Sequence, residues 1–312
     1  MTQQKTVGEV EPRLILATSL SPVDERDVQA TTVQSWLDND MTVVAVNTAA
    51  EIDQFKPVYP DIHFIAAERT AEQYAHKPVP YIYDLLQAAK TQSSPGDTVG
   101  IINADIFLRP DPGLKQFLIQ SAEGSVVLGP RVDVTTADSF KVKAPISDPK
   151  FSVGYDYFIM SRDVVAVFAD SPFAMGMPFW DYWLPLTAYL AGRDLKSLNS
   201  PIALHVNHET RWDETIYLFF HALIAYVLEQ SKNNTGQGNG GNTTPANRQL
   251  AFLLNFISHH YGFILDNGTS GKEGAPPDET AIAALADFYD RFQEAAVHTI
   301  KSNAEVIHFD AI

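Results

Sequence analysis

Short apolar runs alternate with amphipathic stretches through the first half of the chain. Leu14-Ile15-Leu16-Ala17 predicts a buried strand, Asp24 to Leu37 a helix, Thr42-Val43-Val44-Ala45-Val46 a second strand and His63-Phe64-Ile65-Ala66 a short third. Tyr81 to Ala89 predicts a helix, and Val99 to Ile102 the next strand. Alternation of this kind predicts an α/β fold, a Rossmann-like and mostly parallel sheet flanked by helices. After Asn103-Ala104-Asp105 the pattern continues with a helix near Gly113 to Gln120 and a strand at Ser125 to Leu128. Val132 to Phe151 is polar and weakly periodic, which predicts a loop or ribbon over a site. Tyr157 to Met160 predicts a strand, and Ser161 is placed as the N-cap of a helix from Arg162 to Phe168.

Further along, Ser231 to Asn247 is dominated by Asn, Gly, Thr and Gln, too polar to bury itself, and is expected to be a linker or loop. Its Gly236, Gly238 and Gly241 match G-x-G-x-x-G in form, yet no strand precedes them and the dinucleotide fingerprint requires one. Gln249 to Tyr261 and Glu279 to Ile300 predict amphipathic helices. The expected organisation is a disordered tail over residues 1–12, a main domain over 13–230, a linker over 231–247 and a C-terminal helical appendage over 248–312.

Composition narrows the chemistry. With 22 Lys+Arg against 38 Asp+Glu, the formal charge of −16 repels polyanions, so nucleic acid is not an expected partner. The absence of cysteine excludes disulfides, thiolate metal sites and thiol nucleophiles. No stretch approaches the ~18 apolar residues of a membrane span, and Met1 to Pro12 lacks the apolar core of a signal peptide, so a cytoplasmic protein is expected. Sequons at Asn233, Asn242 and Asn267 then carry no meaning.

Asp105 stands just past the buried run Thr98 to Ile102, where an open α/β sheet builds its ligand site. The same Asn-x-Asp also serves as a simple turn, because both side chains satisfy local backbone groups. Followed by Ile106-Phe107-Leu108, the tripeptide Asn103-Ala104-Asp105 resembles the D-x-D-like motif of glycosyltransferases with the GT-A fold, members of the nucleotide-diphospho-sugar transferase superfamily. In that family the last acid binds a divalent metal on the donor pyrophosphate, which implies Mn²⁺ or Mg²⁺ at Asp105. The chain departs from the motif in having Asn103 first.

Three further segments resemble the same family, in order, over residues 13 to 228. Phe179-Trp180-Asp181-Tyr182-Trp183 is similar to its acceptor-side motif, which implies Asp181 as the base that deprotonates an acceptor hydroxyl and Trp180 and Trp183 as rings that stack on the acceptor sugar. The alternative is an N-cap Asp181 on a helix whose tryptophans are core. Leu204-His205-Val206-Asn207-His208 resembles the element that completes the metal site, with either His205 or His208 as ligand, and imidazole favours Mn²⁺. The opening segment Ala17-Thr18-Ser19-Leu20, with Arg26, Gln29, Ser35 and Trp36 following, resembles the first strand and helix of the same fold, and the resemblance implies donor contacts from Thr18, Ser19, Asn47, Lys77, Asn103 and Asp105.

The resemblance therefore implies metal-assisted, inverting transfer of a sugar from a nucleotide-sugar donor to a carbohydrate or other hydroxyl acceptor. A nucleotidyltransferase shares the layout, but it would show a Gly-rich, basic loop where this chain has Thr18-Ser19-Leu20-Ser21-Pro22. A catalytically inactive binding module on the same fold is the third alternative.

Overall fold

The computed structural model describes residues 11–22, 26–142, 146–208, 216–235, 248, 250–257 and 279–310. Its apolar runs become strands: Leu14–Thr18 (β1), Thr42–Asn47 (β2), His63–Ala66 (β3), Thr98–Ile102 (β4), Ile106–Leu108 (β5), Ser125–Gly129 (β6), Val132–Val134 (β7), Tyr157–Ser161 (β8), Asp194–Leu198 (β9), Ala203–Val206 (β10) and Ala304–Ile307 (β11). Eight of them form one sheet in the order β11-β9-β6-β8-β4-β1-β2-β3. Only β8 runs against its neighbours, pairing antiparallel with both β4 and β6. The remaining three form a small sheet, β5-β10-β7.

The continuous apolar character of the central strands follows from cover on both faces. Along β1, Ile15 and Ala17 enter one core, while Leu14 and Leu16 enter the other, as the two-residue period of a strand requires. One face carries the helices Ile82–Gln92 and Trp180–Leu190, together with Ile216–Thr235, residues 250–257 and Glu279–Asn303. The opposite face is covered by Arg26–Asp38, Ala49–Phe55 and Leu114–Ser121. Counting Glu72–Ala75, these helices are α1 (Arg26–Asp38), α2 (Ala49–Phe55), α3 (Glu72–Ala75), α4 (Ile82–Gln92), α5 (Leu114–Ser121), α6 (Trp180–Leu190), α7 (Ile216–Thr235), α8 (250–257) and α9 (Glu279–Asn303). The fold is the expected α/β class, a mostly parallel sheet flanked by helices with further helices at the C-terminus.

Several local expectations change. Arg162–Val167 is a 3-10 helix, and Ser161 makes no side-chain cap on it. Its hydroxyl donates to Asp163 and accepts from the Gly124 N–H. The stretch Val132 to Phe151 is more than a loop, since it begins with β7 and contains a 3-10 turn at Ala137–Lys141. Helix α7 continues to Thr235, past the expected linker start at Ser231, and carries Asn233. Residues 236–247, with the three glycines and Asn242, lie outside the described residues, as do Asn267 and residues 1–10. At the other end, α9 places Phe288 and Phe292 in the same core as Trp180 and Trp183. The chain then adds β11 to the main sheet beside β9, with Ala304 opposite Leu195. Sequence periodicity does not separate this short, half-exposed strand from the helix before it. Among the described residues, no helix is long and apolar enough to cross a membrane.

One close approach fixes the middle of the sheet. Gly129 on β6 lies opposite Tyr157 on β8, and a Cβ at Gly129 would fall on the Tyr157 ring. Tyr157 is fully buried. Gly129→Ala is therefore expected to cost about 3 kcal/mol, the upper end of overpacking penalties. Urea denaturation measures it, and an unchanged midpoint would mean that the ring can move aside.

Candidate active site

The chain leaves the main sheet at Ile102, crosses Asn103-Ala104-Asp105 and enters β5, which pairs with β10 instead. Helix α1 holds this crossing in place. Thr32, Ser35, Trp36 and Asn39 share one helix face by their three- and four-residue spacing. The Thr32 hydroxyl donates to the Ala104 carbonyl (2.7 Å) and Trp36 Nε1 to the Ile106 carbonyl (2.8 Å). Ser35 Oγ accepts from Leu108 N–H and Asn39 Oδ1 from Asp111 N–H, both at 3.0 Å. Ser35 and Trp36 thus fix the strand that follows Asp105.

Strand β10 is the centre of the small sheet. His205 stands opposite Ile106 of β5 on one side and Asp133 of β7 on the other. Because β10 ends at Val206, the strand alternation stops before His208, and both histidines reach Asp105. Their Nε2 atoms lie 3.4 Å (His205) and 3.5 Å (His208) from Asp105 Oδ2. One ligand atom from each of the three residues lies within 4.8 Å of the others. His205 is buried and His208 is exposed.

These three residues fit a divalent cation. Asp105 Oδ1 is buried with no hydrogen-bond partner among the described residues, a condition that costs a polar atom about 1–3 kcal/mol. Desolvation pushes the Asp105 carboxyl up, but the adjoining His205 and His208 side chains and the charge of Arg131 outweigh it and hold the group below the usual carboxylate range. An ionised oxygen beside two imidazole nitrogens suits Mn²⁺ better than Mg²⁺, which prefers oxygen ligands and water.

Two acids and an arginine absent from the sequence expectations complete the site. Arg131 Nη1 donates to Asp156 Oδ1 at 2.6 Å, and Arg131 Nε donates to Asp133 Oδ1 at 2.9 Å. Asn103 Nδ2 also donates to Asp156 Oδ1, at 3.1 Å, so the residue in place of the motif's first acid serves a neighbouring carboxylate. The signals for these residues are faint in sequence. Arg131 and Asp133 have the two-residue spacing of a strand face, and Asp156 directly precedes an apolar run, the reverse of Asp105.

Asp181 lies in the first turn of α6, one residue inside the helix, whose N-cap is Phe179 with φ of 70°. The N-cap alternative for Asp181 is thereby removed. A left-handed phenylalanine costs about 1–3 kcal/mol, and it is held by packing against Tyr182, Phe220 and Tyr289. Burial and the charge of Asp156 push the Asp181 carboxyl up to about 7, against the Tyr155 and Asp181 backbone N–H groups that favour its ionised form. A Cβ at Gly154 would sit 2.8 Å from Asp181 Oδ2, so glycine leaves the room this carboxylate occupies. Trp180 and Trp183, expected to stack on an acceptor, are instead 3% and 2% exposed and pack on Phe158 and Phe173 in the core. Their apolar area is better buried than offered to a sugar.

Of the expected donor contacts, Thr18 and Asn47 end the parallel strands β1 and β2, and Asn103 directly follows β4, which pairs with β1 on its other side. Asn47 is committed to the loop after β1: its Oδ1 accepts from Leu20 N–H, and its Nδ2 donates to Leu20 O and Ser19 Oγ. Gln29 similarly accepts from Ser21 N–H and donates to Tyr59. Thr18 Oγ1 is buried with no hydrogen-bond partner among the described residues. Lys77 is half-buried beyond α3, and the Arg26 side chain lies outside the described residues.

No protein-family model matches the chain, and no curated protein matches it. Among solved structures, a mannosyltransferase from Pyrobaculum calidifontis in complex with GDP-Man and Mn²⁺ overlaps 94% of this chain and 87% of its own, with 12% identity and a TM-score of 0.47. A 4-diphosphocytidyl-2C-methyl-D-erythritol synthase from Anaerococcus prevotii overlaps 69% of this chain and 99% of its own, with 12% identity and a TM-score of 0.37. Likeness at this level concerns chain layout, and the chemistry of the site rests on its own residues.

The Asp156 charge is one cause of the raised Asp181 carboxyl. Asp156→Asn removes a nearby negative charge and frees Arg131, and both changes favour ionised Asp181. Its titration midpoint, followed by carboxyl ¹³C NMR, is expected to fall from about 7. An unmoved midpoint would show that burial alone raises it.

Proposed function

We propose that this protein is a metal-assisted glycosyltransferase that moves a sugar from a nucleoside-diphosphate donor to an acceptor hydroxyl with inversion. The observation that carries the proposal is the convergence of Asp105, His205 and His208 at the C-terminal edge of the sheet, with an unpartnered buried oxygen on Asp105. Charge supports it as well. Asp105, Asp133, Asp156 and Asp181 interact within one neighbourhood in which Arg131 is their shared cation, and a diphosphate approaching four acids needs further positive charge.

Asp105, His205 and His208 are the residues that would hold Mn²⁺ or Mg²⁺, and a divalent cation there supplies neutralisation of the departing diphosphate. Asn103 and Arg131 keep Asp156 in place beside them. Thr18, Ser19 and Lys77 are the donor-contacting groups, and Asn47 shapes the loop that carries Ser19. Asp181 accepts the proton of the acceptor hydroxyl. A carboxyl near 7 combines a useful ionised fraction with real proton affinity, which suits a general base at neutral pH.

A panel of nucleotide sugars with Mn²⁺, read by thermal shift, tests the donor site through ligand linkage. Stabilisation is expected to need metal and nucleotide sugar together and to vanish in Asp105→Asn with the fold intact; stabilisation retained in that variant would remove Asp105 from the site.

Turnover tests the base. Asp181→Asn is expected to lose roughly 10²- to 10⁴-fold in rate. Its melting temperature should hold or rise, because the folded state raises this carboxyl and the ionised form costs stability at neutral pH. For the wild type, kcat/KM should climb with pH through about 7 and then level, since only the deprotonated carboxylate accepts a proton. Near-normal transfer by Asp181→Asn would make the residue structural.

A further inference from the structure

We infer that Asp133, braced by Arg131, is a positioning residue that keeps the His205 proton on Nδ1 and turns the Nε2 lone pair toward the Asp105 oxygen. The purpose of this arrangement rests on the metal-binding role proposed for Asp105, His205 and His208, whereas its geometry stands independently. Asp133 Oδ1 lies 2.8 Å from His205 Nδ1. A carboxylate oxygen only accepts, so the bond requires the proton on Nδ1. Arg131 Nε donates to that same oxygen at 2.9 Å, and Arg131 is itself anchored on Asp156 at 2.6 Å.

The sheet fixes this contact in advance. Asp133 and His205 are register partners of the parallel β7–β10 pair, and His205 is 2% exposed. The ring therefore has neither an alternative acceptor from water nor room to turn freely.

The consequence appears on the other side of the ring. With the proton on Nδ1, the Nε2 lone pair and Asp105 Oδ2 meet at 3.4 Å as two electron-rich atoms. That pairing is unfavourable by itself and becomes favourable with a cation between them, whereas an Nε2–H would satisfy Asp105 and close the site. Carboxylates placed behind a ligating imidazole tune metal sites in this manner, and their loss typically weakens metal binding 10- to 100-fold.

Long-range ¹⁵N–¹H NMR of the histidine rings at about pH 9, above the ordinary imidazole range, reads the tautomer without metal, with His205→Gln assigning the signals. The expected wild-type result is a proton on Nδ1 alone, becoming a tautomer mixture in Asp133→Ala and restored in Asp133→Asn, whose amide oxygen still accepts. A wild-type proton on Nε2, or an unchanged tautomer in Asp133→Ala, overturns the inference. Calorimetry with Mn²⁺ alone provides the second measurement. Asp133→Ala is expected to bind 10- to 100-fold more weakly than wild type, with Asp133→Asn much closer to it; equal affinity in wild type and Asp133→Ala overturns the inference. Wild-type protein that binds no Mn²⁺ refutes the proposed metal site, while the tautomer measurement still decides the role of Asp133.

Discussion

The candidate site depends on where one buried imidazole is held. His205 occupies the middle strand of a three-stranded sheet, between Ile106 on one flank and Asp133 on the other. Its ring bridges two carboxylates, with Nδ1 at Asp133 and Nε2 at Asp105. A polar ring so deeply buried is tolerable because its Nδ1 is bonded to the Asp133 carboxylate. The small sheet is thus the frame on which the candidate cation residues are assembled, with the main sheet supplying Asp105 from the end of β4.

That frame is tied to the rest of the molecule by side chain to backbone bonds. Four residues on one face of α1 reach the backbone between Ala104 and Asp111, so a helix packed on the main sheet fixes the segment that leaves it. On the opposite flank, Gly154-Tyr155-Asp156 joins the two halves of the proposed chemistry. Asp156 contacts Asn103 and Arg131 near the cation residues. Tyr155 N–H and the open space at Gly154 accommodate Asp181. A displacement of these three residues would disturb the candidate base and the candidate metal residues together.

Electrostatics accounts for the unusual carboxyl behaviour. Asp105 and Asp133 each face imidazole or guanidinium groups and are held ionised. Asp156, buried and with one oxygen unpartnered among the described residues, is pushed up by burial and by Asp105 despite its bond to Arg131. Asp181 is pushed up to about 7 by burial and by the charge of Asp156, with Arg131 opposing them only weakly. The same residue type is therefore held ionised in one place and pushed toward neutrality in another, according to what lies within a few ångströms.

Local pattern determined the elements that are strongly periodic. The apolar runs from Leu14 to Ile102 are legible because strands covered on both faces must be apolar at every position, and Asp105 is legible because an acid directly after such a run emerges at the edge of a parallel sheet. His205 and His208 are visible as a pair, although whether they meet depends on β10 ending at Val206. Tertiary structure decided the rest. Tryptophans beside an acid carry no local sign of which way a helix face turns, and Trp180 and Trp183 went to the core. Strand direction is equally silent in sequence. Asp156 precedes its strand, and only because β8 runs antiparallel to β4 does it arrive at the same edge as Asp105. Asp133 became the partner of His205 through a register between strands far apart in the chain, a relation that no local spacing encodes.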